Sequence, residues 1–197
     1  SNDSMNYHWS FKALRSLVKS NCFDSSALIS YWITNSIQLN HSFLKFVLDG
    51  IRFNHQSIDL NQLLSFIELQ INNNDNLIKL DLLKLILELM KIDQIVSFDL
   101  AFNLCKQLLN SNFSKSFVTC STVIYRLFLI AKNENRNYDK IINLFKPIIE
   151  QLMKIAGTEE IEELIRAEVV FQLSQFDFIP FNNLSNFIKN FLNSCIN

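Results

Sequence analysis

The stretch from Asp75 to Asn110 constrains the fold of this chain more than any other part of the sequence. Its first half is almost continuously apolar and is interrupted by four charged residues, Asp81, Lys84, Glu88 and Lys91. Because these residues recur at intervals of three and four, they form one polar line on a helix, which we predict to face water. The rest of such a helix must be covered by other helices. The pattern therefore predicts a central, buried helix.

Glycine and proline are scarce, with two of each among 197 residues. Tight hairpins, dinucleotide-binding folds and phosphate-binding loops need glycine where the backbone φ angle is positive. The hydrophobic fraction of 49% is high enough to build a sizeable core. Together these features predict an all-α protein.

Hydrophobic periodicity indicates about ten helices joined by loops of roughly two to seven residues, so that consecutive helices are antiparallel. The predicted helices are most apolar in the middle of the chain and most amphipathic at its ends, which is typical of helices stacked in layers. Every second helix start recurs at intervals of about 34 to about 44 residues. We predict a HEAT- or armadillo-like irregular α-solenoid. A globular multi-helix bundle is the alternative.

We predict that residues 1–197 form a single all-helical domain, either complete or as a fragment of a larger protein. Four aspartates, Asp24, Asp59, Asp75 and Asp93, stand where a side-chain oxygen can accept hydrogen bonds from the free amides of a helix, with Asn74 as the alternative to Asp75. They predict four helix starts.

Both glycines are interpreted as helix-end residues. Gly50 is expected to loosen the last turn of one helix. Gly157 is expected to end another, and the following Thr158, Glu159 and Glu160 are expected to begin the next helix, where acidic residues favour the positive end of the helix dipole.

The formal net charge of −1, from 18 basic and 19 acidic residues, gives no indication of a polyanionic partner. The four cysteines, Cys22, Cys105, Cys120 and Cys195, are widely spaced and form no C-x-x-C pair. This pattern favours reduced thiols in a cytoplasmic or nuclear protein. We find neither a signal peptide nor an uncharged run apolar enough to span a membrane.

No pattern points to a catalytic, cofactor-binding or metal-binding residue. His8, His41 and His55 share no short spacing with each other or with a cysteine, as metal ligands usually do, and are interpreted as cap or surface residues. Oxyanion-binding loops usually contain glycine, but Gly50 and Gly157 are both assigned to helix ends. We therefore predict that the protein is not an enzyme and binds no cofactor.

The first candidate partner-binding site is an aromatic loop defined by Phe176, Phe178 and Phe181. Pro180 prevents the preceding helix from continuing through this segment. Three aromatic rings in a loop either stand exposed, as a patch for a partner, or fold back onto the core. Both interpretations are open at this point.

The second candidate site is a basic stripe on the first predicted helix, formed by Lys12, Arg15 and Lys19. We expect it to lie opposite the apolar face of that helix. Such a stripe is either an ordinary solvated face or a weak, salt-sensitive contact for nucleic acid.

The predicted function is that of a non-catalytic α-helical scaffold or protein–protein interaction module in a larger eukaryotic assembly. Its partner would be another protein or another part of the same larger protein. The alternative is a helical-repeat domain that binds nucleic acid through the basic stripe, with Arg136 and Lys140 as further contacts.

Overall fold

The computed structural model describes residues 2–20, 22–35, 40–92, 97–133, 138–176, 181 and 183–196. These residues form ten α-helices and two short 3-10 helices, and none of them lies in a strand. The prediction of an all-α fold is confirmed. Contacts between Cα atoms group the chain into a first unit, Ser1–Leu104, and a second unit, Cys105–Asn197. The organisation of residues 1–197 as one domain stays a prediction.

The first unit contains five complete helices and the beginning of a sixth. They are α1 (Asn2–Lys19), α2 (Ser26–Thr34), α3 (His41–Asn54), α4 (Leu60–Gln70), α5 (Asn76–Lys91) and α6 (Phe98–Asn110), with a 3-10 turn at His55–Ser57. Helix α3 packs extensively against both α1 and α5, and α2 packs against α4. Each of these contacts joins a helix to the one two positions along the chain.

The core of the first unit combines an aromatic cluster with the apolar bulk of α5. The ring of Phe11 in α1 meets Trp32 of α2 edge to face at 4.9 Å and lies 5.6 Å from the ring of Phe46 in α3. In α5, Leu82 and Leu85 are completely buried. The prediction that α5 is a buried helix is therefore confirmed, and its central place in the fold stays a prediction.

Asp59 and Asp75 are the N-caps of their helices, as predicted, whereas the N-cap of α2 is Ser25 rather than Asp24. The side chain of Asp59 accepts from two amides in the first turn of α4, each at 3.1 Å, and Asp75 accepts from one amide of α5 at 2.8 Å. Asp24 accepts at 2.9 Å from the amide of Ser26, and this hydrogen bond lowers the pKa of Asp24. Asp93 lies outside the described residues.

Gly50 has a different role from the predicted one. It lies inside α3 and is buried, and a Cβ atom at this position would come within 2.7 Å of Ser25 Oγ and 2.8 Å of Ile29 Cδ1. Both distances are shorter than ordinary van der Waals contacts. Glycine is therefore needed here because α2 approaches the backbone of α3 closely, and the interpretation of Gly50 as a helix-end residue is wrong.

The second unit contains the end of α6 and four further helices. They are α7 (Phe117–Asn133), α8 (Tyr138–Ala156), α9 (Glu163–Leu173) and α10 (Leu184–Ile196), with a 3-10 turn at Ser114–Ser116. Helix α9 packs against both α7 and α8. Helix α8 continues through Pro147, whose side chain is exposed, so the proline leaves the core face of this helix intact.

The predicted start of a helix at Thr158 is wrong. Helix α8 ends at Ala156, but α9 begins only at Glu163, and residues 158–162 form a turn between them. The hydroxyl of Thr158 donates to the carbonyl of Lys154 at 2.8 Å, so it closes the preceding helix rather than capping the next one. Glu159 and Glu160 consequently lie outside the first turn of α9.

Candidate partner-binding surfaces

Two residues of the basic stripe on α1 are directed at a buried carboxylate. Arg15 Nε donates to Asp49 Oδ2 of α3 at 2.6 Å, and Lys19 Nζ lies 3.7 Å from the same oxygen. Arg15 follows the buried Phe11 by four residues and precedes the buried Val18 by three, so all three lie on one side of the helix. The expectation that the stripe lies opposite the apolar face is wrong for Arg15 and Lys19.

The third residue of the basic stripe, Lys12, is exposed. Its Nζ lies 4.8 Å from the centre of the Trp9 ring, which is also exposed. A cation over an exposed aromatic ring contributes about 0.5–1 kcal/mol, so this contact holds Lys12 only weakly. The stripe therefore divides into an engaged pair and one accessible cation.

The two acidic residues of the polar line on α5, Asp81 and Glu88, do not face water as predicted. Asp81 Oδ2 pairs with Nδ1 of His41 from α3, and Glu88 Oε1 accepts from Arg52 of α3 at 2.7 Å. The exposed fractions of Asp49, Asp81 and Glu88 are 1%, 3% and 8%. Helix α3 thus supplies a side-chain partner to each of the two buried carboxylates of α5, His41 to Asp81 and Arg52 to Glu88.

Two lysines of the same polar line share these carboxylates. Lys84 Nζ lies 3.6 Å from Asp81 Oδ1, and Lys91 Nζ donates to Glu88 Oε1 at 2.9 Å. These are the i, i+3 pairs that the sequence predicts, and they are partly solvent-exposed. They supplement the contacts to α3.

The pKa of Glu88 is lowered by its two cationic partners. Burial acts in the opposite direction, because removing a carboxylate from water disfavours its charged form. The hydrogen bonds from Lys91 and Arg52, together with their positive charges, outweigh that effect. Glu88 is therefore held as a carboxylate.

Sequence reasoning missed these helix-to-helix ion pairs. They join residues that are 34, 40 and 36 positions apart, for Arg15–Asp49, His41–Asp81 and Arg52–Glu88 respectively. The predicted interval between alternate helices is of similar size. An acidic residue on an apolar helix, with a basic residue one such interval earlier in the sequence, could therefore have indicated these pairs. His41 is thus a partner of the buried Asp81 rather than a simple cap or surface residue.

The two described residues of the aromatic loop are buried. The ring centre of Phe176 lies 5.1 Å from that of Phe128 in α7 and 5.3 Å from that of Tyr125, and Phe181 lies 6.2 Å from Phe128. These rings fold back onto the core of the second unit and form no exposed patch. Phe178 lies outside the described residues, so a role in partner binding for the loop as a whole stays a prediction.

Helix α9 carries an exposed apolar pair that sequence analysis did not identify. Leu164 and Phe171, seven residues apart, expose 66% and 58% of their surfaces. The core-facing side of the helix is formed instead by Val169, Val170 and Leu173. Leu164 is therefore not part of the buried face of α9.

Cys105 and Cys120 are buried neighbours in the second unit, whereas Cys22 is exposed, and all three are free thiols. The Sγ of Cys120 lies 4.0 Å from the carbonyl oxygen of Cys105. Burial, followed by the adjacent Cys120 thiol, raises the pKa of Cys105. The Cys105 thiol is therefore a poor nucleophile. The side chain of Cys195 lies outside the described residues.

Within the described part of the chain, no three metal-ligating side chains converge. Nor does any described helix combine the length and apolar character needed to cross a membrane. Comparison of the chain with protein-family models, curated proteins and solved structures finds no match.

Proposed function

We propose that the protein is a non-catalytic α-helical scaffold that presents a binding surface to another protein, or to another part of the same larger protein. The observation that carries this proposal is the exposed apolar pair on α9. Leu164 and Phe171 lie two helical turns apart on the side of α9 opposite its buried face. Single exposed apolar residues are ordinary, but two at this spacing match the anchor positions by which helices recognise partners.

We infer further that the first unit is an irregular HEAT- or armadillo-like stack. The packing of α3 on α1 and α5, and of α2 on α4, supports this inference, because stacked helix pairs place each helix beside the equivalent helix of the next pair. The globular bundle is the alternative. An experimental structure in which α3 is separated from α1 or from α5 would contradict the stacked arrangement.

The decisive experiment is affinity capture with chemical cross-linking from the native source, using three versions of the chain. The first is the wild type, and the second is the double variant Leu164→Glu/Phe171→Glu. The control is Leu69→Glu, which places one glutamate at a residue of α4 that is 80% exposed. Circular dichroism establishes that all three are folded.

We expect one protein to be captured reproducibly by the wild type and the Leu69→Glu control and to be lost with the α9 double variant. A charged residue at an apolar anchor position loses its water on binding and gains no opposite charge in return. The expected loss of binding is therefore large. Equal capture by all three versions, or no specific capture by any, would contradict the proposal.

The nucleic-acid alternative receives less support. Arg15 and Lys19 are engaged with Asp49, which leaves Lys12 as the accessible cation of the basic stripe. Lys140 is exposed on α8, and Arg136 lies outside the described residues. Fluorescence anisotropy with labelled RNA and DNA at low and high salt tests this alternative, and absence of binding at low salt would end it.

A further inference from the structure

A pocket of about 180 Å³ lies between α1 and the beginning of α3 in the first unit. Five of its lining residues carry basic side chains, and none is acidic. The lining consists of His8, Phe11, Lys12, Arg15, His41, Ser42 and Lys45. We propose that this pocket binds a phosphate group, either as free phosphate or as a phosphate monoester.

The first support is the balance of charge around the pocket. Asp49 is already paired with Arg15 and Lys19, and Asp81 with Lys84 and His41. Lys12 and Lys45 make no ion pair with a carboxylate among the described residues, so their charges remain uncompensated. A cleft with an excess of one sign of charge concentrates ions of the opposite sign.

The second support is the supply of hydrogen-bond donors. Arg15 contacts Asp49 through Nε, and a guanidinium has four further N–H donors, which suit the oxygens of a phosphate. The Lys12 and Lys45 ammonium groups add donors from two different helices, α1 and α3. A small anion between them would be held by both helices.

The third support is the position of the pocket at the start of α3. His41 and Ser42 are the first two residues of this 14-residue helix, so the positive end of the helix dipole lies at the lining. His8 Nδ1 lies 3.0 Å from Ser42 Oγ, which joins α1 to α3 at the pocket. The amide of Phe43 at this helix end donates to Asn40 Oδ1 at 2.8 Å, so the helix contributes its dipole rather than this amide.

The size of the pocket limits the ligand. Its volume of 180 Å³ falls below the range of about 300–1,000 Å³ typical of sites that enclose a drug-sized ligand. The pocket can therefore enclose the phosphate group but not a large attached molecule. Since His8 and Lys12 are exposed, the remainder of a phosphate monoester could extend into solvent.

The test uses the full 197-residue chain and titrates it with sodium phosphate and with O-phosphoserine at constant ionic strength, with chloride as the compensating anion. Intrinsic fluorescence reports binding, because Trp9 neighbours Lys12 and the ring of Trp32 contacts that of Phe11. Three chains are compared: the wild type, Lys45→Gln, and the matched control Lys79→Gln on α5. Lys45 takes part in none of the helix-to-helix ion pairs, so its replacement leaves them in place.

We expect saturable binding of phosphate to the wild type and to Lys79→Gln, weakened about tenfold in Lys45→Gln by the loss of a charge-assisted hydrogen bond. Tighter binding of O-phosphoserine would identify a phosphate monoester as the preferred source, and equal affinity would identify the free ion. The proposal would be overturned if no saturable response occurs up to about 10 mM phosphate, well above a millimolar Kd. It would also be overturned if Lys45→Gln and Lys79→Gln bind phosphate equally. Because these measurements involve no protein partner, their failure would leave the scaffold proposal intact.

Discussion

The two units of this protein organise their helices by different interactions. In the first unit, α1, α3 and α5 are joined by ion pairs to the buried carboxylates Asp49, Asp81 and Glu88. In the second unit, the described aromatic contacts of the core centre on Phe128. Its ring centre lies 5.5 Å from that of Phe145 and 5.1 Å from that of Phe176. Aromatic packing stabilises the folded state through the apolar area that it buries. A buried charge instead disfavours every helix arrangement that leaves it without an opposite charge.

This difference shows what the ion pairs add to the first unit. The first unit also has an aromatic cluster, around Phe11, Trp32 and Phe43, so it does not need the ion pairs to form a core. Desolvation offsets much of the attraction within a buried ion pair, and such pairs are weak sources of net stability. We infer that they act mainly by selecting which helices become neighbours, because a shifted helix would leave a carboxylate buried and unpaired.

The two units can be followed separately in one unfolding experiment. Both tryptophans, Trp9 and Trp32, lie in the first unit, so tryptophan fluorescence reports that unit. The buried thiols of Cys105 and Cys120 lie in the second unit, so their labelling by a thiol reagent reports its opening. Labelling of Cys22, which is exposed, serves as the reference rate.

The largest effect is expected from truncating the aromatic core of the second unit. Phe128 is almost completely buried, and Phe128→Ala should lower the free energy of unfolding by about 3–5 kcal/mol through lost burial and the cavity left behind. Urea denaturation with labelling of Cys105 and Cys120 measures this loss. Phe171→Ala, at an exposed position of α9, is the control and should change stability by less than about 0.5 kcal/mol. Similar losses in both variants would contradict the assignment of Phe128 as the centre of this core.

Breaking one ion pair of the first unit should have the next largest effect. Arg15→Met keeps most of the apolar stem but leaves Asp49 with the more distant Lys19, and we expect a loss of about 3 kcal/mol. Urea denaturation followed by tryptophan fluorescence measures it. The control is Arg126→Met on α7, since Arg126 makes no ion pair with a described residue, and its effect should be within about 0.5 kcal/mol. If the two variants are equally stable, the ion pairs do not distinguish the first unit from the second.

A smaller loss is expected where α2 approaches α3. Gly50→Ala adds a methyl group against Ser25 Oγ and Ile29 Cδ1, and such overpacking costs about 1–3 kcal/mol, partly offset by the better helix propensity of alanine. The matched control in the second unit is Gly157→Ala, whose Cβ would make only ordinary contacts, the nearest at 3.4 Å. Thermal denaturation should show a lower melting temperature for Gly50→Ala and little change for Gly157→Ala. An increase for both would mean that propensity outweighs packing at Gly50.

The smallest predicted effect concerns acid. Because the pKa of Glu88 is lower in the folded chain than its ordinary value of 4.5, its contribution to stability is complete above that value and disappears as the pH falls through the folded pKa. We expect urea midpoints from tryptophan fluorescence to fall below about pH 4.5, and to fall less steeply in Glu88→Gln, which cannot titrate. If the urea midpoint falls equally steeply with decreasing pH in both chains, Glu88 is excluded as a source of the acid sensitivity of the first unit.

Features that depend on neighbouring residues in the sequence were predicted well. The burial of α5 follows from its continuous apolar residues, and the caps at Asp59 and Asp75 follow from side chains that reach amides two or three residues away. These interactions are local, so periodicity and residue type are enough to identify them. The start of α9 was missed because Thr158 resembles a cap but bonds backward to Lys154.

Features of the candidate sites were predicted poorly because they depend on residues distant in the sequence. The basic stripe and the polar line of α5 both looked solvent-exposed, since helix periodicity places a charged residue on a face without saying what covers that face. Phe176 and Phe181 offered two interpretations, and their packing on Phe128 in α7 decides that these two rings belong to the core. Leu164 and Phe171 could not be recognised as exposed until the neighbours of α9 were known.

By itself, the sequence determined the helical class, the burial of α5 and several helix starts, because each of these follows from short-range periodicity and backbone hydrogen bonding. Only the tertiary structure decided which carboxylates are buried, which side chains pair with them and which apolar residues are exposed. The physical reason is that a charge is stabilised or penalised by what surrounds it in space. For Asp49, Asp81 and Glu88, the partner side chains from neighbouring helices lie 34 to 40 residues away along the chain.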